Sequence, residues 1–412
     1  MSGSYPSGPR LSKAAEVSYF TIVQQVTAFL GALSDASVSR RRTFVRVLVG
    51  GVVLLVAAAA IGWLVSADVR YLLRAGWEEA RILYRRRPIA ELVTDTTLAP
   101  HRADQLRLVL DARNYAASLG LDAKETYTTY SDVGRDTLLL VLSASGRECI
   151  CPVTWRYPIV GSIPYKGFFD AGMAREAAAD MAERGLDVHL RPAGAFSTLG
   201  WFNDPLLSTA LTRDDVELTA TVMHEIAHNT LWVPGAVSFN ESFAQYVGYH
   251  AAERFYRDRG DTASARRAAD RWWDEMVLAD YYEALVGRLT RFYDTEPDSA
   301  ALEAGRAAIA DWAALQLDGP VAALVRTIDP SWIQARPINN ARLLGVRLYR
   351  TDLDLFEAWH RRHGGDVAKS VAALSALMEG AEGDEAFERL RQALLTRMRD
   401  GSGSFPIIRG TG

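Results

Sequence analysis

The sequence predicts a predominantly helical α+β fold, with a small mixed sheet ahead of a long helical run and one hydrophobic helix near the N-terminus. Three observations predict it. Beyond Asp214 the pattern is helical to Arg399, broken only by turns near Val233-Pro234-Gly235, Glu296-Pro297 and Arg336-Pro337. Short β-rich runs at Leu138–Leu142, Ile150–Trp155, Val188–Leu190 and Phe196–Thr198 come before it. Between Arg46 and Asp68 lies VLVGGVVLLVAAAAIGWLVSA, without a charge and long enough to cross the hydrocarbon of a bilayer.

Taken in order, residues 1–46 open with Ser, Gly and Pro, hold one amphipathic stretch around Glu16 to Leu33, and predict a poorly ordered tail. Residues 47–67 predict a transmembrane anchor, because the run lacks the polar stripe that globular helices keep. Val65-Ser66-Ala67 also resembles a cleavage site, which leaves an export signal open as the alternative. Arginines flank the run on both sides, Arg40, Arg41, Arg42 and Arg46 before and Arg70, Arg74 and Arg81 after, so charge does not set its direction. Tyr71 to Leu119 reads as helix with a break at Arg87-Pro88 and a stop at Gly120. An alanine-rich helix spans Ala171 to Arg184, residues 68–400 form the main domain, and residues 401–412 make a flexible tail.

Composition narrows the function. A formal net charge of −4 and a pI near 6.0 give no positive field to gather nucleic acid, so a nucleic-acid partner is not expected. The only cysteines, Cys149 and Cys151, exclude a disulfide scaffold and a four-thiolate zinc site, and they read as free buried thiols.

The segment from Thr221 to Gly248 carries the chemistry. In His224-Glu225-Ile226-Ala227-His228 the histidines are four apart, so on a helix both imidazoles lie on one face and can share a cation, zinc by preference. Glu225 sits beside them as the base for an attacking water, while Val222 and Ile226 fall on the opposite face and seat the helix. Thr212, Asp214 and Asp215 supply capping and acidic groups at its start. A third ligand is available after the Pro234-Gly235 turn. Glu241 fits, although Ser238 and Glu241 also have capping-box spacing, and His250 is the substitute.

HEIAH followed by FNESFAQYVG resembles a bacterial family of zinc aminopeptidases with an HExxH…NExxA signature, whose members are exported and membrane-attached. The likeness extends to YRRRPIAEL, PIVGSIPYKGFFD, FSTLGWFNDPLLST and INNARLL, and covers most of residues 70 to 380. It implies a zincin-like, gluzincin-type metallopeptidase domain in which His224, His228 and Glu241 hold the zinc and Glu225 is catalytic. Family cysteines are replaced by Arg156 and Ser162, and Ser66-Ala67-Asp68 offers no lipidation cysteine. The hydrophobic run would then be the anchor, with the catalytic domain on the extracytoplasmic, periplasmic side and a peptide or protein as substrate.

A developing oxyanion needs a donor, and Tyr246, Tyr249, Tyr281, Tyr282, Tyr349 and Arg342 are the candidates. Val188 to Thr198 could offer an edge strand to substrate backbone. Trp272-Trp273 reads as core or interface, and His360 with His363 as a solvated helix edge. The competing reading is a non-catalytic, zinc-stabilised module that binds an envelope peptide or protein. Glu225 discriminates between them, since a binder needs no base beside its metal.

Overall fold

The computed structural model describes residues 47–54, 57, 61, 63, 64, 66–157, 161–193, 205–212, 214–335 and 338–398. The chain divides into two units, Met1–Gly76 and Trp77–Gly412. In the first, the described residues from 47 to 64 are helical and hold Val47, Leu48, Val53 and Leu64 exposed. The membrane-spanning helix expected over 47–67 is not found: no described helix is long and apolar enough to cross a membrane. Residues 55, 56, 58–60, 62 and 65 of that stretch lie outside the described residues, as do the tails 1–46 and 399–412.

The main chain elements begin with α1 (Ala67–Arg85), which falls at the division between the units. At Arg87-Pro88 the expected break is found, since α1 ends at Arg85, and the two residues form β1, an edge strand, where proline's missing N–H is tolerated. After it come α2 (Ile89–Leu92), α3 (Pro100–Ser118) and β2 (Thr129–Ser131). α3 opens with Pro100 at its first position, where the missing N–H costs nothing, and stops before Gly120 at φ 83°.

The strands form three small sheets rather than one. β1, β2 and β8 (Leu206–Leu207) make a mixed sheet, with β2 antiparallel to β1 and parallel to β8. β3 (Leu139–Ser145) is the centre of an antiparallel sheet between β6 (Lys166–Phe168) and β7 (Asp187–Ala193). β4 (Trp155–Tyr157) and β5 (Gly161–Ile163) form a hairpin ladder of their own. The strand expected over Ile150–Trp155 starts only at Trp155, and Phe196–Thr198 lies outside the described residues.

Cys149 and Cys151 fill the first of those gaps. The free buried thiols expected there are instead a disulfide between two exposed residues. The chain leaves β3 at Ser145, doubles back to a bridge at Pro152, and so brings the two Cα atoms to 5.3 Å, within disulfide range.

α4 (Ala171–Glu183) is capped by Asp170, whose carboxylate accepts from Met173 N. Beyond β8 the helices take over: α5 (Asp215–Thr230), α6 (Val237–Asp258), α7 (Thr262–Tyr293), α8 (Ser299–Gln316), α9 (Asn340–Arg347), α10 (Leu353–Arg362), α11 (Val367–Leu377) and α12 (Glu385–Met398). Caps recur at Asp214, Asp261, Asp298, Asn339 and Asp366, each accepting a backbone N–H that the helix start leaves unpaired.

The larger core surrounds α5 and α6. Val222, Ile226, Phe239, Phe243 and Val247 are fully buried there, against Leu106 and Val109 of α3 and Phe356 of α10. At roughly 1.5–3 kcal/mol for each buried large apolar side chain, this cluster fixes the helix pair that carries the motif. A second core joins the later half of α7 to α8 through Leu285, Leu289, Leu302 and Ile309.

Candidate metal centre

α5 starts where the sequence places it: the Asp214 carboxylate accepts from Val216 N and Glu217 N, both at 3.0 Å. Thr212, also expected to help, lies instead at the end of a short 3₁₀ turn. With Val222 and Ile226 buried, the opposite face presents His224 and His228, whose Nε2 atoms are 3.2 Å apart. Glu225 follows His224 and is half-buried.

After Thr230 the chain turns through Pro234 and Gly235, the latter at φ 73°, and returns as α6. Asn240 fixes that return. Its fully buried side-chain amide accepts from Val233 N at 2.9 Å and donates to Val233 O at 2.8 Å, tying the turn to the first coil of α6. The neighbouring Glu241 then points back at the histidines, with Oε2 3.4 Å from His224 Nε2 and 3.8 Å from His228 Nε2. The capping box does not form: Ala236 is the N-cap of α6, Ser238 lies inside the helix, and no side chain caps it.

His224, His228 and Glu241 each offer one donor atom within 4.8 Å of the others, the one such group among the described residues. Donors about 2.1 Å from a tetrahedral ion stand about 3.4 Å apart, close to all three spacings found here. Burial, seconded by the neighbouring His224, pushes His228 down to about 4, so its ring is neutral at physiological pH. Burial pushes Glu241 up, but the hydrogen bond to His224, then the charges that His228 and His224 carry in acid, and that of Arg191, more than reverse it and hold the carboxyl below its ordinary value. One carboxylate with imidazoles is a donor set suited to zinc. His228 Nδ1 is buried without a hydrogen-bond partner, so packing orients the ring, including the Trp232 side chain at 5.7 Å between centroids.

Of the oxyanion candidates, Tyr349 is the one that reaches the cluster. Its ring lies 6.2 Å from that of His224, and its phenol is raised by burial and by the charges of Glu241 and Glu225. Two links hold it there: Thr351 N donates to Ser242 Oγ at 3.1 Å, and Arg350 pairs with the buried Glu275 at 2.7 Å. The others are engaged elsewhere. Tyr249 donates to Glu217, Tyr281 to Ala313 O, Arg342 to Ile333 O, and Tyr282 packs in the second core.

His250, the substitute ligand, faces away. Its Nε2 is 3.2 Å from Glu357, which also accepts from Trp272 Nε1 at 2.8 Å and from Arg361 Nε at 2.6 Å. His360, expected at a solvated edge, is buried in the same network, with Tyr246 Oη 2.9 Å from its Nδ1 and the His250 ring 4.0 Å away. Position in the chain gives no warning of this, because Glu357 lies more than a hundred residues from its partner. Tyr165 and Arg191, whose electrostatic influence reaches Glu241, were also missed, since neither belongs to a recognisable pattern.

These features define a predominantly helical α+β protein built around a His-His-Glu group able to hold a metal ion. Residues 70–390 match a family model whose description reads "Putative aminopeptidase", and the chain belongs to that family. The membership supports an aminopeptidase-like, hydrolytic function. No curated protein and no solved structure matches the chain.

Proposed function

We propose that the protein is a zinc-dependent peptidase of zincin type, aminopeptidase-like in keeping with its family, with zinc held by His224, His228 and Glu241. The observation that carries this reading is the spacing of those donor atoms, 3.2, 3.4 and 3.8 Å, set by two helices that pack rigidly against each other. A zinc ion held there supplies a Lewis acid that polarises the scissile carbonyl and acidifies water. Glu225, beside the pair of histidines, takes the proton of the attacking water and delivers it to the leaving amine. Tyr349 donates to the oxygen on which negative charge develops. Its phenol stays protonated at neutral pH, as a donor must.

The test joins metal analysis of the purified protein to a scan of peptides with free and blocked N-termini. One equivalent of zinc, and cleavage lost in Glu225→Gln with zinc retained, is the expected result. A zinc-loaded protein that cleaves nothing sinks the enzyme and favours the peptide-binding module.

The apolar run 47–67 is proposed as a membrane anchor or uncleaved signal that leaves the peptidase outside the cytoplasm. The exposed side chains of Val47, Leu48, Val53 and Leu64 support it, since water is a poor solvent for such a row. A reporter fused after residue 400 reads the topology, and activity on the cytoplasmic side rejects it.

A further inference from the structure

β7 is the strand that brings a cation to the cluster. In its register with β3, Arg191 is opposite Val141, His189 opposite Ser143 and Asp187 opposite Ser145, so the three side chains share one face of the sheet. α9 starts over that face, because Asn340 N donates to Asp187 Oδ2 at 2.9 Å and Asn339 Nδ2 donates to Val188 O at 2.9 Å. Tyr349 follows the end of α9 and lies over His224. α9 and Tyr349 therefore link the sheet that carries Arg191 to the His-His-Glu group, and Tyr165, just before β6, lies across β3 from Arg191.

Arg191 is half-buried there, yet among the described residues its guanidinium makes no ion pair and no hydrogen bond. The Tyr165 hydroxyl, also half-buried, has no hydrogen bond among them either. The charge of Arg191 acts on Glu241, Tyr165 and Tyr349 alike, so it lies within electrostatic reach of all three. A partly desolvated guanidinium whose donors are unused is costly, and its planar fork is shaped for a carboxylate. No acidic side chain of the protein forms an ion pair with it among the described residues, which leaves the position open to an anionic group of the substrate.

We infer that Arg191, seconded by the Tyr165 hydroxyl, binds the free α-carboxylate of a short peptide, which makes di- and tripeptides with unblocked C-termini the substrate class. The inference rests on the peptidase reading for the nature of the ligand and adds the feature by which the ligand is chosen. Arg191 is a specificity-determining residue in this account and takes no part in moving protons.

The experiment uses the full chain carrying Glu225→Gln, loaded with zinc, and measures by calorimetry the binding of trialanine and of its C-terminal amide. The amide should bind roughly tenfold to a hundredfold more weakly, the range expected for loss of charge-assisted hydrogen bonds. Adding Arg191→Ala should bring trialanine down to the amide's affinity, and Arg191→Lys should restore part of the difference by supplying charge without the fork. Equal binding of the two peptides, binding of neither, or discrimination that survives Arg191→Ala each overturns the inference. Discrimination by a protein whose parent cleaves no peptide would retain the carboxylate site and reject the hydrolase. Cleavage without discrimination would do the reverse.

Discussion

Gly248 faces Ala220 so closely that a Cβ built on it would stand 2.8 Å from the Ala220 carbonyl oxygen and 3.3 Å from the Cβ of His224. The obstacle is backbone, which cannot swing aside, so α5 and α6 meet at a separation that only glycine allows. Gly248→Ala is expected to destabilise by roughly 1–3 kcal/mol, as overpacking of a tight contact does. It should weaken zinc binding as well, because forcing the helices apart draws Glu241 from the histidines. Denaturant titration with metal-competition binding measures both, and unchanged zinc affinity would show that the close approach does not set the site.

Asn240 fastens the turn before the helix that bears Glu241. Asn240→Ala removes both bonds to Val233 and leaves its buried N–H without a partner, while the carbonyl keeps only Ala236 N at 3.2 Å, a loss of about 1–3 kcal/mol. Zinc affinity should fall with it, while Asn240→Asp keeps the acceptor for Val233 N and should retain more of that affinity. If both variants bind zinc like the parent, the turn does not position the carboxylate.

Tyr349→Phe keeps the ring beside His224 and deletes only the hydroxyl. A drop in kcat of about a hundredfold to a thousandfold at nearly constant KM is expected if that hydroxyl serves the transition state. A rise in KM alone would assign it to substrate binding instead.

Acid should destabilise the protein through the network behind the cluster. Burial, then the charge of His250, pushes His360 down to about 3 from its ordinary 6.5. Its contribution is complete above pH 6.5 and is lost as pH falls toward 3, because the unfolded chain takes up the proton first. Burial pushes Glu357 up, but its hydrogen bonds from His250 and Trp272 and the charge of Arg361 hold it at about 2, so its contribution is lost between 4.5 and 2. Chemical denaturation of the metal-free protein should show a decline on the order of a few kcal/mol across this range. His228, pushed down to about 4, adds to the decline in every metal-free variant, so the difference between parent and His360→Gln isolates His360. An identical pH profile for the two would remove His360 from the account.

What could be read in the sequence was what chemistry writes locally. The His224–His228 spacing, the dry face at Val222 and Ile226, the Asp214 cap and the break at Pro234-Gly235 all act within a few residues of their own position. Glu241 was legible as a choice between two uses, and the position of the N-cap at Ala236 excludes the capping box. The rest depends on distant partners. Strands of two or three residues such as β1, β6 and β8 exist by pairing, and carry too few side chains to show an alternation. The contact of Glu357 with His250, and the approach of Arg191 to the cluster, are set by packing of elements far apart in the chain.

The turn clamped by Asn240 also bears on how the centre comes into being. His224, His228 and Glu241 all belong to one helical hairpin, so bringing them together closes only a short loop and costs little chain entropy. Helical hairpins of low contact order form quickly, whereas β7 and α9 must wait for long-range docking. On the zinc reading proposed above, ion capture precedes the docking of β7 and α9 during biosynthesis, and the captured ion holds the hairpin while those slower elements arrive.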